Sequence, residues 1–172
     1  MKTPRLATGT LAVALCVLAT PALADWGTTT WGDTVEAVIA KSPEKVTRLA
    51  PKEDDRIGKL DRLGISQVEF AGIPSEAQFY FTAEGKLEAV RVKPNSTGDC
   101  VKLGEKAAKM YGTPISDKVE PITSAMSMKT RVWRDAPHNM VASFTHVDSK
   151  GLQICHIYFE SPASYEAAVP SV

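Results

Sequence analysis

The chain runs twice through one succession, a short amphipathic helix followed by consecutive alternating strands, and this order limits the folds open to it. The first helix is read at Thr34–Lys41, "TVEAVIAK", with the Thr34 hydroxyl as cap, Glu36 in the first turn and Val35, Val38 and Ile39 as an apolar stripe. "ISQVEFAGI" and "EAQFYFTAEGKLEAVRV" follow as strands. Phe79 and Phe81 share one face, Tyr80 takes the other, and Ala83-Glu84-Gly85-Lys86 supplies a turn. Pro94-Asn95-Ser96 closes the block, and "NST" at 95–97 reads as a turn into the next helix.

That helix is expected over residues 97–111. Cys100, Leu103, Ala107, Met110 and Tyr111 fall on one side, and Lys102, Glu105, Lys106 and Lys109 on the other. Gly112 and Pro114 end it. The second strand block is "SMKTRVWRD", "NMVASFTHV" and "LQICHIYFE", with a turn at Asp148-Ser149-Lys150-Gly151. Ser42-Pro43 is read as the start of a further helical turn through "EKVTRLA", residues 51–60 as a charged, solvated loop, and residues 162–172 as a flexible tail.

The expected fold class is α+β: two αβββ repeats forming an antiparallel sheet, with the helices packed on one face. The first repeat spans about residues 31–94 and the second about 97–160, within a single domain over 25–161.

Residues 1–24 have the form of a secretory signal peptide: Lys2 and Arg5, an apolar run from Leu6 to Thr20, and the small-x-small signal Ala22-Leu23-Ala24. Cleavage is expected after Ala24 and the location is expected to be periplasmic. Cys16 is preceded by Leu15, where a lipid-anchoring signal wants a small residue. The whole chain has 20 basic and 20 acidic residues, and removing Lys2 and Arg5 leaves a net charge of −2. Such a balance gives no basic excess for nucleic acid, and no second apolar run predicts membrane insertion. Cys100 and Cys155 then remain as an even pair in an exported protein, which reads as a disulfide.

"WGDTVEAV", "VEFAGIPSEAQFYFTAEGKLEAV", the helix end "KMYGTP" and "RVWRD" together resemble a group of exported bacterial domains. These are relatives of the β-lactamase-inhibitor-protein fold, with the outer-membrane assembly lipoprotein BamE (SmpA/OmlA) as a more distant, single-repeat cousin. The resemblance covers most of residues 31–160 and its motifs are structural. It implies non-catalytic binding of another protein, often through the sheet face that helices leave open. The lipobox of BamE is missing here and the repeat is doubled, so outer-membrane anchoring is not implied. On this view Trp31-Gly32 packs and turns the chain into its first helix, and Trp26-Gly27 is an ordered lead-in.

Catalytic and metal chemistry finds little support in the sequence. His138, His146 and His156 lack the spacing of a zinc site, and only a shifted strand register would put His146 and His156 on one face. No Gly-x-Ser-x-Gly elbow is present, and Glu53-Asp54-Asp55 lies in a solvated run. No catalytic residue, metal or cofactor is therefore expected, and the oligomeric state is left open. With a turn centred on Ser149-Lys150, Phe144 faces Cys155 and Ser143 faces His156. Met140, Ala142, Phe144, Cys155, Ile157 and Phe159 then lie under the helices, while Val141, Ser143, Thr145, Ile154, His156 and Tyr158 lie on the open face. Ser143, Thr145, His156 and Tyr158 are the candidate partner-binding residues, and the partner is expected to be an envelope protein of inhibitor-target or assembly type. Two other readings are a lipid or glycan site in a pocket beneath Met110 and Phe144, and a hydrolase whose site the sequence does not mark, with Asp135 and His138 among the titratable candidates that would have to cluster.

Overall fold

The structure is a computed structural model and describes residues 26–42, 44–149 and 151–168. The signal-peptide region and Lys150 lie outside these residues. Helix α1, Val35–Lys41, starts where expected, with the Ala37 amide donating to Thr34 Oγ1 at 3.3 Å. Seven residues are too few for a helix to hold by propensity. Burial of Val35 and Val38 in the core holds it, at about 1.5–3 kcal/mol for each side chain.

The expected second helical turn is replaced by a two-residue strand, β1, Thr47–Arg48. It pairs with β2, Asp61–Phe70, through Thr47↔Ile65 and Arg48↔Gly64. Val46 is buried, and a Cβ on Gly64 would stand only 3.2 Å from its Cγ1. Burial of Val46 in the core and this pairing override the Ser-Pro helix signal. Residues 51–60 do carry exposed, charged side chains, with one 3-10 turn at Glu53–Asp55.

Strands β3, Ile73–Phe81, and β4, Leu87–Pro94, complete the first block. Ser96 then caps a 3-10 turn at Thr97–Asp99, and helix α2 runs from Cys100 to Tyr111. The second block has four strands rather than three: β5, Ser116–Thr123; β6, Met126–Asp135; β7, Met140–Ser149; and β8, Leu152–Glu160. β5 has no apolar alternation because it is an exposed edge strand, charged and interrupted by Pro121. The eight strands form one antiparallel sheet in the order β1-β2-β3-β4-β8-β7-β6-β5.

The register between β7 and β8 differs by two residues from the expected one. Ser149 pairs with Leu152, so Phe144 faces Ile157 and Thr145 faces His156. The last pair is Ser149 with Leu152 where Asp148 with Gly151 was expected, so the turn keeps its length and moves one residue along the chain, with Gly151 at a positive φ of 92°. A two-residue slip preserves the side on which each residue lies. The expected division into core face and open face therefore holds.

The core face carries Phe79, Val90, Phe159, Ala142 and Trp133 in one row across five strands, all at most 1% exposed. α1 and α2 cover this face. The Cys100–Cys155 disulfide joins the start of α2 to β8, with Cα atoms 5.6 Å apart, and the Trp133 indole donates to the Gly112 carbonyl at 2.9 Å to fix the end of α2.

The tail is not unstructured over its first seven residues: Pro162–Ala168 form helix α3. The Ser164 amide donates to Ser161 Oγ at 3.1 Å, Pro162 follows at the first helical position, and Arg134 pairs with Glu166 at 2.8 Å. Arg134 and Glu88, which bonds to Ser164, bring α3 to the face opposite α1 and α2. The expectation of helices on one face alone is corrected by this third helix.

Two outcomes follow from the packing. Gly104 is buried, and a Cβ there would meet the Phe144 ring at 2.8 and 2.9 Å. Gly104→Ala therefore loses about 1–3 kcal/mol in urea unfolding despite a helix-propensity gain of about 1 kcal/mol, and Phe144→Leu in the same chain restores part of the loss. Cys100→Ala with Cys155→Ala opens a link across a sequence separation of 55, which lowers unfolding free energy by about 4 kcal/mol on chain entropy.

Candidate functional site

Two surfaces stand out, one on each side of the sheet. On the open face, β8 presents Leu152, Ile154, His156, Tyr158 and Glu160 in alternation. Tyr158 pairs with Ser143 and His156 with Thr145, so the four residues singled out from the sequence form one contiguous half-buried square. Toward the β7–β8 turn the same face becomes apolar. Ile154 sits beside Val147, and Val147 beside Met128; Leu152 and Met126 extend the row. Ile154 and Leu152 are 50% and 53% exposed, although each is a large aliphatic side chain.

The other half of this face satisfies itself. Arg91, opposite Tyr158, donates through Nε to Gln78 Oε1 at 2.7 Å and stands 5.2 Å over the Tyr80 ring. Tyr80 donates to the same Gln78 oxygen at 3.1 Å. At the far end α3 caps the region in which Val141 and Ala89 are fully buried.

Three titratable groups on this face of β8 are displaced by burial. His156 is lowered to about 4 by desolvation, helped by the Arg91 and Lys93 charges. Burial raises the Tyr158 hydroxyl, with Glu160 adding to the effect. Glu160 is raised to about 7 by desolvation and then by the Glu88 carboxylate. His146 pairs with Cys155 and so lies on the core face. The two strand histidines do not meet.

The second surface is a cleft of about 820 Å³ on the core side, near the end of α2. Trp26, Phe70, Met110 and Tyr111 line it, and Glu44, Glu69, Arg134, Asp135 and His138 stand around them. The pocket expected beneath Met110 and Phe144 is therefore displaced. Phe144 is only 2% exposed and fills its space against Gly104, so the opening forms beyond the helix end. Asp135 and His138, named for a hydrolytic reading, do converge, with Nδ1 2.8 Å from Oδ2 across the β6–β7 turn. Trp26 was missed as a wall of this cleft. Its ring packs edge-on against Phe79 at 5.8 Å, and its carbonyl accepts from the Thr29 hydroxyl at 2.9 Å. Trp31 is partly buried against the core and donates to the Asn139 carbonyl at 3.2 Å.

The displaced groups set opposite pH dependences. Between the ordinary Glu value of 4.5 and about 7, folded Glu160 holds a proton that the unfolded chain releases, so this site lowers stability as pH rises through that window. Between about 4 and 6.5 the unfolded chain binds a proton that folded His156 refuses, so that site lowers stability as pH falls. Glu160→Gln is expected to exceed the parent in thermal stability at pH 7.5, with the gap closing toward pH 4.5. His156→Gln is expected to flatten the acid-side loss. Melting curves across pH check both.

No family model matches the chain. Over 112 residues it is 28% identical to "Intracellular hyphae protein 1" of Colletotrichum lindemuthianum, a stretch covering 64% of this chain and 49% of that protein. The chain thus spans about half the length of that relative. Among solved structures it is similar to a DUF4309 family protein of Bacillus subtilis, with a TM-score of 0.44 and 15% identity over 79% of this chain and 83% of the other.

Proposed function

We propose that this is a non-catalytic protein of the bacterial periplasm that binds another envelope protein through the open sheet face. The observation that carries the reading is the apolar row of Ile154, Leu152, Val147, Met128 and Met126, exposed at Ile154 and Leu152 and half-buried at the other three, beside the Tyr158–Ser143–His156–Thr145 square. An aliphatic row with an aromatic anchor and two methionines has the composition of an interface core, and thioether side chains adapt to the shape of a partner. Displaced protonation on three neighbouring groups of β8 supports the same face, because such shifts concentrate at functional positions. The form of residues 1–24 supports export, and the bonded Cys100–Cys155 pair suits an oxidising compartment.

The strand order lends support to a two-repeat origin, since two consecutive meanders meet through their last strands, β4 and β8. That arrangement, with the motifs quoted above, agrees with the resemblance to β-lactamase-inhibitor-like exported domains, whose known roles are protein binding. An inhibitor of an envelope enzyme and an assembly factor both fit.

Site-specific photocrosslinking in intact cells tests the reading. A benzoylphenylalanine at Ile154 or Thr145 is expected to give one discrete protein adduct, while the same probe at Val101, exposed on α2, gives none. Met128→Lys should abolish the Ile154 adduct without lowering the amount of folded protein. Adducts of equal yield from Val101, or none from the sheet face, would overturn the assignment.

A further inference from the structure

The core-side cleft has a chemistry of its own. Trp26, Phe70 and Tyr111 come from three distant segments, and each ring stands against the buried Phe159, with centroids 6.3, 5.8 and 6.5 Å from it. All three remain partly open to solvent. Each is fixed from behind. Tyr111 packs on Trp133 at 6.0 Å. Phe70 pairs with Ile73 across a tight turn in which Ala71 and Gly72 both take positive φ. Trp26 is held by its turn to Thr29, whose amide donates to the Trp26 carbonyl at 3.2 Å. The rings form a preset cup that needs no rearrangement before binding.

Charge around the cup is one-sided. Glu44 is exposed at its edge, Glu69, which alternates with Val68 and Phe70, is exposed at the rim from the far side of β2, and neither is in an ion pair among the described residues. The two basic side chains of the cleft are already engaged, Arg134 with Glu166 at 2.8 Å and His138 with Asp135 at 2.8 Å. Aromatic faces carry negative potential, and together with free carboxylates they attract a cation whose apolar body fills the cup.

We propose that the cleft at the end of α2 binds an organic cation with an apolar body, of the alkylammonium class. Trp26, Phe70 and Tyr111 take the body and the cationic face, and Glu44 supplies the opposing charge, with Glu69 adding to it from the rim. Burial and the Asp135 carboxylate raise the Tyr111 hydroxyl, so that group stays a neutral donor and adds no negative charge. The site lies on the opposite side of the sheet from the proposed partner surface, and it stands or falls separately from that reading.

Calorimetric titration tests it with decyltrimethylammonium and, as the neutral comparison, decyl glucoside, both below their micelle concentrations. The protein is purified after export from cells expressing the full-length chain. Saturable binding of the ammonium at one site is expected, with the glucoside at least tenfold weaker. Glu44→Gln with Glu69→Gln, both at exposed positions, should weaken the ammonium about fivefold and leave the glucoside unchanged. Phe70→Leu should weaken it as well, with an unchanged far-ultraviolet spectrum showing the fold intact, while Met128→Lys on the other face leaves it untouched. Equal affinity for the glucoside with no effect of the carboxamide variants would overturn the proposal in favour of a neutral, glycan-like occupant. No saturable ammonium binding up to millimolar concentration would overturn it outright.

Discussion

Four residue pairs join β4 to β8, Ala89↔Glu160, Val90↔Phe159, Arg91↔Tyr158 and Val92↔Ile157, and through them two meanders become one sheet. The other ladders link strands within a block, over short turns or, between β1 and β2, over the loop 49–60. This one spans more than sixty residues, so it carries a larger loop-closure cost and forms only when its side chains reward it. Val90, Val92, Ile157 and Phe159 on the core side of the seam are all fully buried. The disulfide reinforces the same place. It ties β8 to the first residue of α2 and holds that helix across the seam.

Elements were legible where one local signal agreed with tertiary packing. Val35 and Val38 in α1, and Leu103 and Ala107 in α2, announce their faces by spacing and are buried as spacing requires. The two Ser-Pro pairs show the limit. Ser42-Pro43 and Ser161-Pro162 carry the same helix-start chemistry, yet the chain after the first becomes β1 and the chain after the second becomes α3. The difference lies in what each meets. Val46 finds a buried place beside Gly64 and a ladder with β2, whereas residues 162–168 find Arg134 and Glu88 at the end of a sheet face. Neither neighbour is local in sequence. β5 was invisible for a related reason: an edge strand that turns exposed side chains to both sides needs no alternation.

The candidate surfaces divide in the same way. Alternation along β7 and β8 sorts residues onto two faces, and a displacement by two leaves that sorting unchanged, so Ser143, Thr145, His156 and Tyr158 were identifiable as neighbours. Its continuation through Met126 and Met128 was not, because that extension depends on β6 pairing with β7. The cleft was harder still. Trp26, Phe70, Tyr111 and Asp135 lie in four separate segments, and only the packing of three rings around Phe159 brings them together. Asp135 and His138 were read from the sequence as possible chemistry. Their bond across a single turn, three residues apart, also explains them as a local fastening of the β6–β7 connection.

The seam finally links stability to the open face. Burial first, and then their β4 neighbours, displace His156 and Glu160 from their ordinary protonation: Arg91 and Lys93 for the histidine and Glu88 for the glutamate. Strand pairing that buries Val90 and Phe159 on one side therefore forces like charges, or a cation and a neutral imidazole, together on the other. A sheet optimised for stability alone would carry opposite charges at these cross-strand positions. Here the core side of the seam offsets the cost, and the open side keeps a neutral His156 and a neutral Tyr158 next to exposed aliphatic side chains. Desolvating such groups costs less than desolvating charged ones. The seam thus leaves the open face of β8 less costly to cover than a charged surface of the same area.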